Sequence, residues 1–215
     1  MTATTLADVE RSGRDATAVA APPSSPPTTR ERVVAAAVVM TAEVGWSQVT
    51  MAKLAEQVGV SRQTVYNEIG TKPQLAEAMI LRELDRFMGI VSVAFDRHPD
   101  DLVAAIGEAS RLVLEHAQDN HLLHAVVSAT HGADTELLPL LTTHADSLLD
   151  AAKLVIAERL EPYAVGLGSA RLGAAIDMVV RVVLSHVMQP SGTPGETAAD
   201  IAWIAARVLR PDHEG

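Results

Sequence analysis

Apolar residues recur along most of the chain at the three- and four-residue spacing of amphipathic helices. In the segment that begins at Thr29, one side of the predicted helix carries Val33, Val34 and Ala37. The alternation of apolar and polar residues that is typical of strands is missing. Ala and Leu, which are strong helix formers, supply much of the apolar content. The pattern therefore predicts an all-α protein.

Glycine, proline and N-capping residues divide the chain into nine predicted helices. The predicted helices are Thr29–Glu43, Met51–Val58, Arg62–Ile69, a long helix from Thr71 to about Asp96, Asp100–Gln118, His121–Thr130, Glu136–Glu161, Ala170–Met188 and Glu196–Leu209. Two of the starts have the form of a capping box, with Thr at the cap, Pro in the first turn and Gln or Glu three residues after the Thr. These starts are Thr71 to Gln74 and Thr193 to Glu196, and Ser169 is a predicted cap for the eighth helix.

The second and third predicted helices fit a helix-turn-helix. Gly59 between them is predicted to take the positive φ that ends one helix and turns the chain. In the second of the two, Val65 and Ile69 are four residues apart and are predicted to face inward. The polar residues then lie outward, for one of two reasons. Either this helix reads the major groove of DNA, or two short helices simply pack with their polar sides in solvent.

The outward side of the third predicted helix carries side chains that suit DNA recognition. Arg and Gln can pair with the edges of guanine and adenine, and hydroxyl groups can reach phosphate oxygens. A Lys at the start of the next helix stands beside free backbone N–H groups, which form a phosphate site. The predicted DNA-binding residues are Thr50, Ser61, Arg62, Gln63, Thr64, Tyr66, Asn67 and Lys72. Arg30 and Arg32, near the first helix start, are either phosphate or minor-groove contacts or ordinary solvated charges.

The net charge of −10 argues weakly against a nucleic-acid binder, but the charge is unevenly distributed. Residues 28–72 hold five basic and four acidic residues, whereas residues 73–215 hold ten basic and twenty acidic residues. The N-terminal segment is therefore still compatible with DNA, beside an acidic body. Residues 1–28, rich in Ala, Thr, Ser and Pro, are predicted to form a disordered tail.

The run from Thr50 to Leu75, with the residues just before it, resembles the DNA-binding domain of the TetR family of bacterial repressors. The features that carry the resemblance are Gly45 followed by Trp46, Thr50, the turn formed by Ala55, Val58, Gly59, Val60 and Ser61, then Thr64, Tyr66, and Lys72 followed by Leu75. One position departs from the family. Glu68 stands where the family usually has His or Tyr, so no phosphate contact is assigned to it.

The resemblance implies a nine-helix TetR-like fold, with a helix-turn-helix domain at residues 29–72 and a helical body at residues 73–210 that binds an effector. Family members are dimers that read pseudo-palindromic operators. The expected partners are therefore double-stranded operator DNA, a small effector, and a second copy joined through the last two helices. The run Val65–Phe87 is also similar to actinobacterial TetR-type regulators of lipid or alkane metabolism. The predicted function is a ligand-responsive repressor, with an activator and a ligand-independent DNA binder as alternatives.

The low polarity of the body predicts an apolar, fatty-acid-like or alkane-like effector, with an aromatic or polar molecule as the alternative. The predicted pocket residues, each of which is otherwise plain core, are Phe87, Met88, Val91, Phe95, Ile106, Leu123, His124, Val127, Leu148 and Ile176. His116, His121 and His124 lack a fourth ligand of good spacing, so no metal is predicted. Asp177 and Arg181, four residues apart, are predicted to pair with each other or across a dimer interface, unless Arg181 holds an effector carboxylate.

The sequence contains no feature that indicates catalysis. It has no nucleophile–base pair, no HExxH motif, no glycine-rich phosphate loop and no paired carboxylates, so an enzyme is not predicted. No cofactor is predicted either. The chain has no cysteine, which excludes disulfides and thiolate sites and suits a reducing cytoplasm. The first residues lack the order of a signal peptide, and no apolar run near the start is long enough for a membrane span, so a cytoplasmic protein is expected.

Overall fold

The structure, a computed structural model, describes residues 26–120, 122–124, 145–163 and 165–209. Regular structure in these residues is entirely helical, so the predicted all-α class is confirmed. A single turn of 3-10 helix at Trp46–Gln48 separates the first two helices. None of the described helices is long and apolar enough to cross a membrane. The helices are α1 (Thr29–Val44), α2 (Met51–Val58), α3 (Arg62–Ile69), α4 (Lys72–Arg97), α5 (Leu102–Gln118), α6 (Ala145–Leu160), α7 (Ser169–Met188) and α8 (Pro194–Val208).

Four predicted helix starts are wrong by one or two residues. Helix α4 begins at Lys72 and not at Thr71, and helix α8 begins at Pro194 and not at Glu196. Helix α5 begins after Asp101 and not at Asp100, because the Asp101 carboxylate accepts a hydrogen bond from the N–H of Ala104 at 2.9 Å. Helix α7 begins at Ser169 itself, with Gly168 in the capping position and no side-chain cap. The predicted capping role of Ser169 is therefore wrong.

Two predicted helices fall partly outside the described residues. Of the predicted helix His121–Thr130, the structure describes Leu122–His124, and these residues are helical. The predicted start at Glu136 also lies outside the described part of the chain. Helix α6 is described from Ala145, and its side chains are described from residue 149 onward.

Both predicted capping boxes are confirmed. At the start of α4, Oε1 of Gln74 accepts a hydrogen bond from the backbone N–H of Thr71 at 2.8 Å. At the start of α8, Oε2 of Glu196 accepts from the N–H of Thr193 at 3.1 Å, and the Thr193 hydroxyl accepts from the N–H of Glu196 at 3.2 Å. These bonds satisfy N–H groups that have no partner inside a helix, so local sequence determines where both helices begin.

The turn between α2 and α3 depends on the backbone of Gly59. This residue has φ of 75° and ψ of 39°, in the left-handed region, as predicted. Its N–H donates to the carbonyl of Ala55 at 3.0 Å, and the N–H of Val60 donates to the same carbonyl at 2.9 Å. A Cβ at Gly59 would meet no atom within 4 Å. The requirement for glycine is therefore conformational and not steric.

The first hydrophobic core lies among α1, α2, α3 and the start of α4. Leu54 and Val65, from the two short helices, are fully buried there. Leu75 of α4 is also fully buried and Met79 nearly so, and this core therefore extends beyond residue 72, where the predicted first domain ends. Leu122, from the turn after α5, also belongs to this core. Two segments of the body therefore complete the packing of the helix-turn-helix.

The second hydrophobic core lies among the C-terminal half of α4 and helices α5, α6 and α7. Ala94 and Phe95 of α4 are buried in it. The ring of Tyr163 meets that of Phe95 edge to face, with centroids 6.0 Å apart, and the Tyr163 hydroxyl donates to the carbonyl of His98 at 2.7 Å. Helix α8 packs mainly along α5. Helix α4 thus contributes to both cores.

Replacement of Gly59 with Val is expected to lower the free energy of unfolding by about 1–2 kcal/mol or more, because a β-branched residue is strained at this positive φ. Gly59→Asn is the matched control, since Asn tolerates the left-handed region. Urea unfolding followed by circular dichroism measures both variants. Equal loss of stability in the two would contradict the conformational requirement.

Candidate functional site

The exposed side of α3 is the candidate nucleic-acid interface. Val65 and Ile69 are buried, as predicted, and their burial fixes the rotation of the helix about its axis. Arg62, Gln63 and Tyr66 are exposed on the other side, and Tyr66 exposes 52% of its surface. An exposed aromatic residue beside an amide and a guanidinium gives this side donors, an acceptor and a flat ring. The arrangement suits contact with base edges and phosphates.

Hydrogen bonds within α3 preorganise part of this surface. Nε2 of Gln63 donates to Oδ1 of Asn67 at 2.8 Å, so the two amides lie side by side along the helix. The predicted contacts Ser61 and Thr64 are joined by hydroxyl oxygens 2.8 Å apart, and the N–H of Thr64 donates to Oγ of Ser61 at 3.0 Å. Ser61 is therefore the N-cap of α3, which holds its hydroxyl at the edge of the exposed surface.

The remaining two predicted contacts border this surface. The Thr50 hydroxyl accepts from the N–H of Lys53 at 3.2 Å and caps α2. The ammonium group of Lys72 lies 4.8 Å from the centroid of the Trp46 ring, in a cation–π arrangement. Trp46 is buried, so it holds Lys72 at the junction between the 3-10 turn and the start of α4. DNA contact by any of these eight residues remains a prediction.

Arg30 and Arg32 brace the two short helices from α1. The guanidinium of Arg30 donates to the carbonyl of Glu68 at the end of α3. That of Arg32 donates to the carbonyl of Val58 at the end of α2. Cations at helix C-termini donate hydrogen bonds to carbonyls that lack intrahelical partners, and they interact favourably with the negative end of the helix dipole. The structure therefore gives both arginines an intramolecular role in setting the angle between α2 and α3.

Most of the predicted effector-binding residues form part of the second core. Phe87 meets the ring of His116 edge to face, with centroids 5.0 Å apart, and His116 is hydrogen bonded as described below. Val127 lies outside the described residues, and so does the side chain of Leu148. The predicted residues that pack together in this core are Phe87, Met88, Val91, Phe95, Ile106 and Ile176.

A cavity of about 250 Å³ lies elsewhere, between the ends of α5 and α7 and the start of α8. Of the predicted effector-binding residues, Leu123 and His124 line it. We call it the α5–α7–α8 cavity. Its described lining residues are Leu114, Ala117, Gln118, Leu123, His124, His186, Val187, Met188, Pro190, Gly192, Pro194 and Thr197.

A buried carboxylate that the sequence did not point to lies in the middle of α4. Glu83 exposes 5% of its surface. One of its oxygens lies 3.0 Å from Nε2 of His116 and accepts a hydrogen bond from the amide of Asn120. Its other oxygen lies 3.6 Å from Nη1 of Arg86. Because a buried carboxylate needs such partners, Glu83 ties α4 to the end of α5.

Asn120 connects this carboxylate to both the first core and the cavity. Its Oδ1 accepts a hydrogen bond from the N–H of Leu123 at 3.0 Å and so begins the helical turn after α5. Within that turn, Leu122 enters the first hydrophobic core, while Leu123 and His124 line the α5–α7–α8 cavity. We call Asn120 together with residues 122–124 the connecting turn. It contacts the packing of the helix-turn-helix on one side and the cavity on the other.

Asp177 and Arg181 form an ion pair with each other, which is one of the alternatives predicted from the sequence. Nε of Arg181 donates to Oδ2 of Asp177 at 2.7 Å. Nζ of Lys153, from α6, lies 3.2 Å from the other carboxylate oxygen. The hydrogen bonds from Arg181 and Lys153 hold the pKa of Asp177 below its usual range. This group therefore links α6 to α7.

Two stretches of the chain match known protein families. Residues 33–79 match the family described as bacterial regulatory proteins, tetR family. Residues 101–207 match the family described as bacterial tetracyclin repressor, C-terminal domain. The first match includes α2, α3 and the candidate interface, and the second includes α5 to α7 and nearly all of α8.

Individual relatives agree with these matches. The chain is 27% identical over 159 residues to HTH-type transcriptional regulator AlkX of Mycobacterium tuberculosis, and the match covers 74% of each chain. It is 28% identical to the TetR family repressor AlkX from Dietzia sp. strain DQ12-45-1b, a protein implicated in biodegradation of n-alkanes. The two structures match with a TM-score of 0.69, over 86% of this chain and 98% of that one. The fatty acid degradation regulator FadR from Bacillus halodurans shares the fold, with 17% identity and a TM-score of 0.52 over 83% of this chain and 97% of its own.

Asn120→Ala is expected to lower the free energy of unfolding by about 1–3 kcal/mol, because it removes a donor from the buried Glu83 carboxylate and the cap of the connecting turn. Asn67→Ala is the matched control, since this amide is exposed on α3. Urea unfolding measures both. An Asn120 variant as stable as the Asn67 variant would show that the connecting turn is not held by this amide.

Proposed function

The chain belongs to the TetR family of bacterial transcriptional regulators, and we propose that it is a repressor that binds a pseudo-palindromic operator as a dimer. We further propose that an apolar, chain-like effector releases it. The observation that carries the proposal is the surface of α3, where buried Val65 and Ile69 direct Gln63, Tyr66 and their neighbours outward. The family places this helix in a helix-turn-helix, whose second helix enters the major groove.

Recognition of bases is proposed for the amide and guanidinium groups of α3. The amides of Gln63 and Asn67 suit the paired donor and acceptor that adenine presents in the major groove, and Arg62 suits guanine. The Tyr66 hydroxyl and the cap hydroxyls suit phosphate oxygens. Because residues 28–72 carry nearly balanced charge, long-range phosphate attraction contributes less here than in a strongly basic domain. Affinity then depends more on these direct contacts.

Dimerisation is proposed through α7 and α8. Both helices expose large apolar side chains: Met178 and Leu184 on α7, and Trp203 and Ile204 on α8. Trp203 exposes 58% of its surface, with the guanidinium of Arg207 3.7 Å from its ring centroid. Large apolar side chains exposed on two consecutive helices are typical of an interface, and a two-fold arrangement would pair α7 and α8 with their copies.

The nature of the effector is proposed from the relatives and from the body's apolar character. The Dietzia AlkX repressor, whose fold this chain shares at 28% identity, is implicated in biodegradation of n-alkanes. An effector of that chemistry is a hydrocarbon chain, such as a fatty acid or a related lipid. Release requires that the effector bind the DNA-incompetent state more tightly than the competent one.

The proposed route from effector to DNA runs through α4 and the connecting turn. Helix α4 starts directly after α3 and supplies Leu75 and Met79 to the first core. Leu122 of the connecting turn packs in the same core. A shift of either element changes the packing beneath α3, and with it the separation of the two recognition helices in a dimer.

Gln63→Ala and Tyr66→Ala are each expected to weaken operator binding about tenfold, because each removes contacts worth ~1–3 kcal/mol. The operator is first selected from random duplexes by the wild-type protein, and affinities are then measured by fluorescence anisotropy at one fixed salt concentration. Selected sequences are expected to contain two inverted half-sites. Their centres are expected to lie about one helical turn apart or slightly more.

Gln189→Ala serves as the matched control for Gln63→Ala, because Gln189 is an exposed glutamine just after α7. It is expected to bind the selected operator as the wild type does. Unchanged affinity of both α3 variants, with their helical content intact, would remove α3 from the interface. Selection of no duplex at all would overturn the proposed function itself.

Ile204→Asp is expected to convert the dimer to a monomer, because it places a charge in the proposed apolar interface. Val93→Asp is the matched control, because Val93 of α4 is exposed to nearly the same extent, 45% against 50% for Ile204. Sedimentation velocity distinguishes the two states. A dimeric Ile204 variant would place the interface away from this side of α8.

A further inference from the structure

The α5–α7–α8 cavity is apolar, and its described lining contains no Asp, Glu, Lys or Arg side chain. Leu114, Leu123 and Val187 contribute apolar surface, together with Met188 and two prolines. Such a lining binds apolar molecules and uses a few polar groups to orient them. A carboxylate head group placed here would be desolvated without a cationic partner, which is unfavourable. The polar lining residues are Gln118, His124, His186 and Thr197.

Both histidines in the lining already donate to backbone carbonyls. Nδ1 of His186 lies 2.9 Å from the carbonyl oxygen of Val182, and Nε2 of His124 lies 2.8 Å from that of Gln118. A carbonyl oxygen only accepts, so each of these nitrogens carries the proton. A neutral imidazole has one N–H, and the second ring nitrogen is then an acceptor. In the neutral form, each histidine therefore has a second ring nitrogen that can accept a hydrogen bond from a ligand.

The start of α8 does not supply an anion site to this cavity. Pro194 and Thr197 line it, but the carboxylate of Glu196 already accepts hydrogen bonds from the hydroxyl and the N–H of Thr193. These bonds hold the pKa of Glu196 below its usual range, so the group is ionised. A Cβ placed on Gly192, another lining residue, would lie 3.6 Å from its Oε2. A negative charge beside the cavity disfavours an anionic ligand.

The volume sets the size of the enclosed part of a ligand. At ~30 Å³ for each water-sized group in a liquid, a cavity of about 250 Å³ holds about eight non-hydrogen atoms. A medium-length aliphatic chain with one polar atom fits this size. The cavity is only partly enclosed, so a longer chain can extend outward.

We propose that the α5–α7–α8 cavity is the effector site and that it takes a neutral aliphatic alcohol. The hydroxyl of the alcohol donates to His124 or His186, and its chain contacts Leu114, Leu123 and Val187. This inference rests on the proposed function. It narrows the proposed class of effector from any chain-like molecule to one whose head group is uncharged and donates a hydrogen bond. The site differs from the core cluster around Phe87 and Val91.

Occupation of this site acts on the connecting turn. Leu123 and His124 form part of the wall, and the adjacent Leu122 is buried in the first hydrophobic core. A chain that displaces Leu123 therefore moves its neighbour beneath the helix-turn-helix. The buried bonds between Asn120 and Glu83 give the turn a defined resting position from which it is displaced.

The test uses the full-length protein with 1-octanol, octanoate and n-octane as probes, at mildly alkaline pH, which keeps octanoate ionised. Isothermal titration calorimetry measures binding, and fluorescence anisotropy measures release from the selected operator. 1-Octanol is expected to bind about tenfold more tightly than octanoate and to release the operator. Octanoate that binds as tightly as 1-octanol would overturn the proposed head-group chemistry.

Three variants test the site. Leu123→Trp fills the cavity and is expected to weaken 1-octanol binding at least about tenfold, whereas Leu154→Trp, the same change at an exposed position of α6, is expected to leave it unchanged. A double variant, His124→Phe with His186→Phe, is expected to abolish the preference for 1-octanol over n-octane. Wild-type affinity of the Leu123 variant, or a preserved preference in the double variant, would overturn the proposal.

Failure of this inference is distinguishable from failure of the proposed function. A Leu123 variant that still binds the operator without ligand is folded, so its calorimetric result bears on the site alone. Wild-type protein that binds the operator and is released by octanoate but not by 1-octanol would retain the proposed function and overturn this inference. A wild type that selects no duplex would overturn the proposed function, while calorimetry would still decide whether the cavity binds 1-octanol.

Discussion

The structure depends on one helix that belongs to two hydrophobic cores. Helix α4 has 26 residues and is about 39 Å long at 1.5 Å per residue. Its first turns, with Leu75 and Met79, complete the core of the helix-turn-helix, and its last turns, with Val91 and Phe95, lie in the core of the body. Because both ends are packed and the helix is continuous, the orientation of α3 is tied to the packing of the body.

The buried carboxylate in the middle of α4 fixes how this helix packs against the end of α5. Glu83 is buried, and burial of a carboxylate is unfavourable unless hydrogen bonds compensate it. Its partners, His116 and Asn120, come from the end of α5 and the residues just after it. Apolar contacts alone tolerate sliding of one helix along another, whereas these bonds have defined geometry. The carboxylate thus positions the connecting turn, and with it Leu122, against the first core.

The helix-turn-helix and the body, which have separate hydrophobic cores, also differ in surface charge. The helix-turn-helix has nearly balanced charge and presents amides, hydroxyls and a tyrosine on α3, whereas the acidic residues are concentrated in the body. In the proposed complex with DNA, repulsion between the phosphates and the acidic body favours approach through the first domain. Within the body, α7 and α8 leave Met178, Trp203 and Ile204 exposed, and the end of α7 and the start of α8 line the apolar cavity. Dimer contact and ligand contact are therefore proposed for different parts of the same two helices.

Local sequence determined the features that depend on residues a few positions apart. The capping boxes begun by Thr71 and Thr193, the left-handed Gly59 and the inward pair Val65 and Ile69 are all set within one or two helical turns, so spacing and capping chemistry were enough to predict them. The outward side of α3 followed from the inward pair by geometry. These features account for the fold class and for the orientation of the candidate DNA surface.

Tertiary structure decided what depends on residues far apart in the chain. Glu83 lies 33 and 37 positions from His116 and Asn120, and nothing in the local pattern distinguishes it from an exposed acidic residue on α4. The sequence allowed Arg30 and Arg32 to be solvated charges or DNA contacts. In the structure they donate hydrogen bonds to the carbonyls of Glu68 and Val58. The cavity likewise is a gap between the ends of three helices, so its position depends on how those helices pack. Hydrophobic periodicity identifies the side of a helix that is buried, but the volume left between helices is set only when they meet.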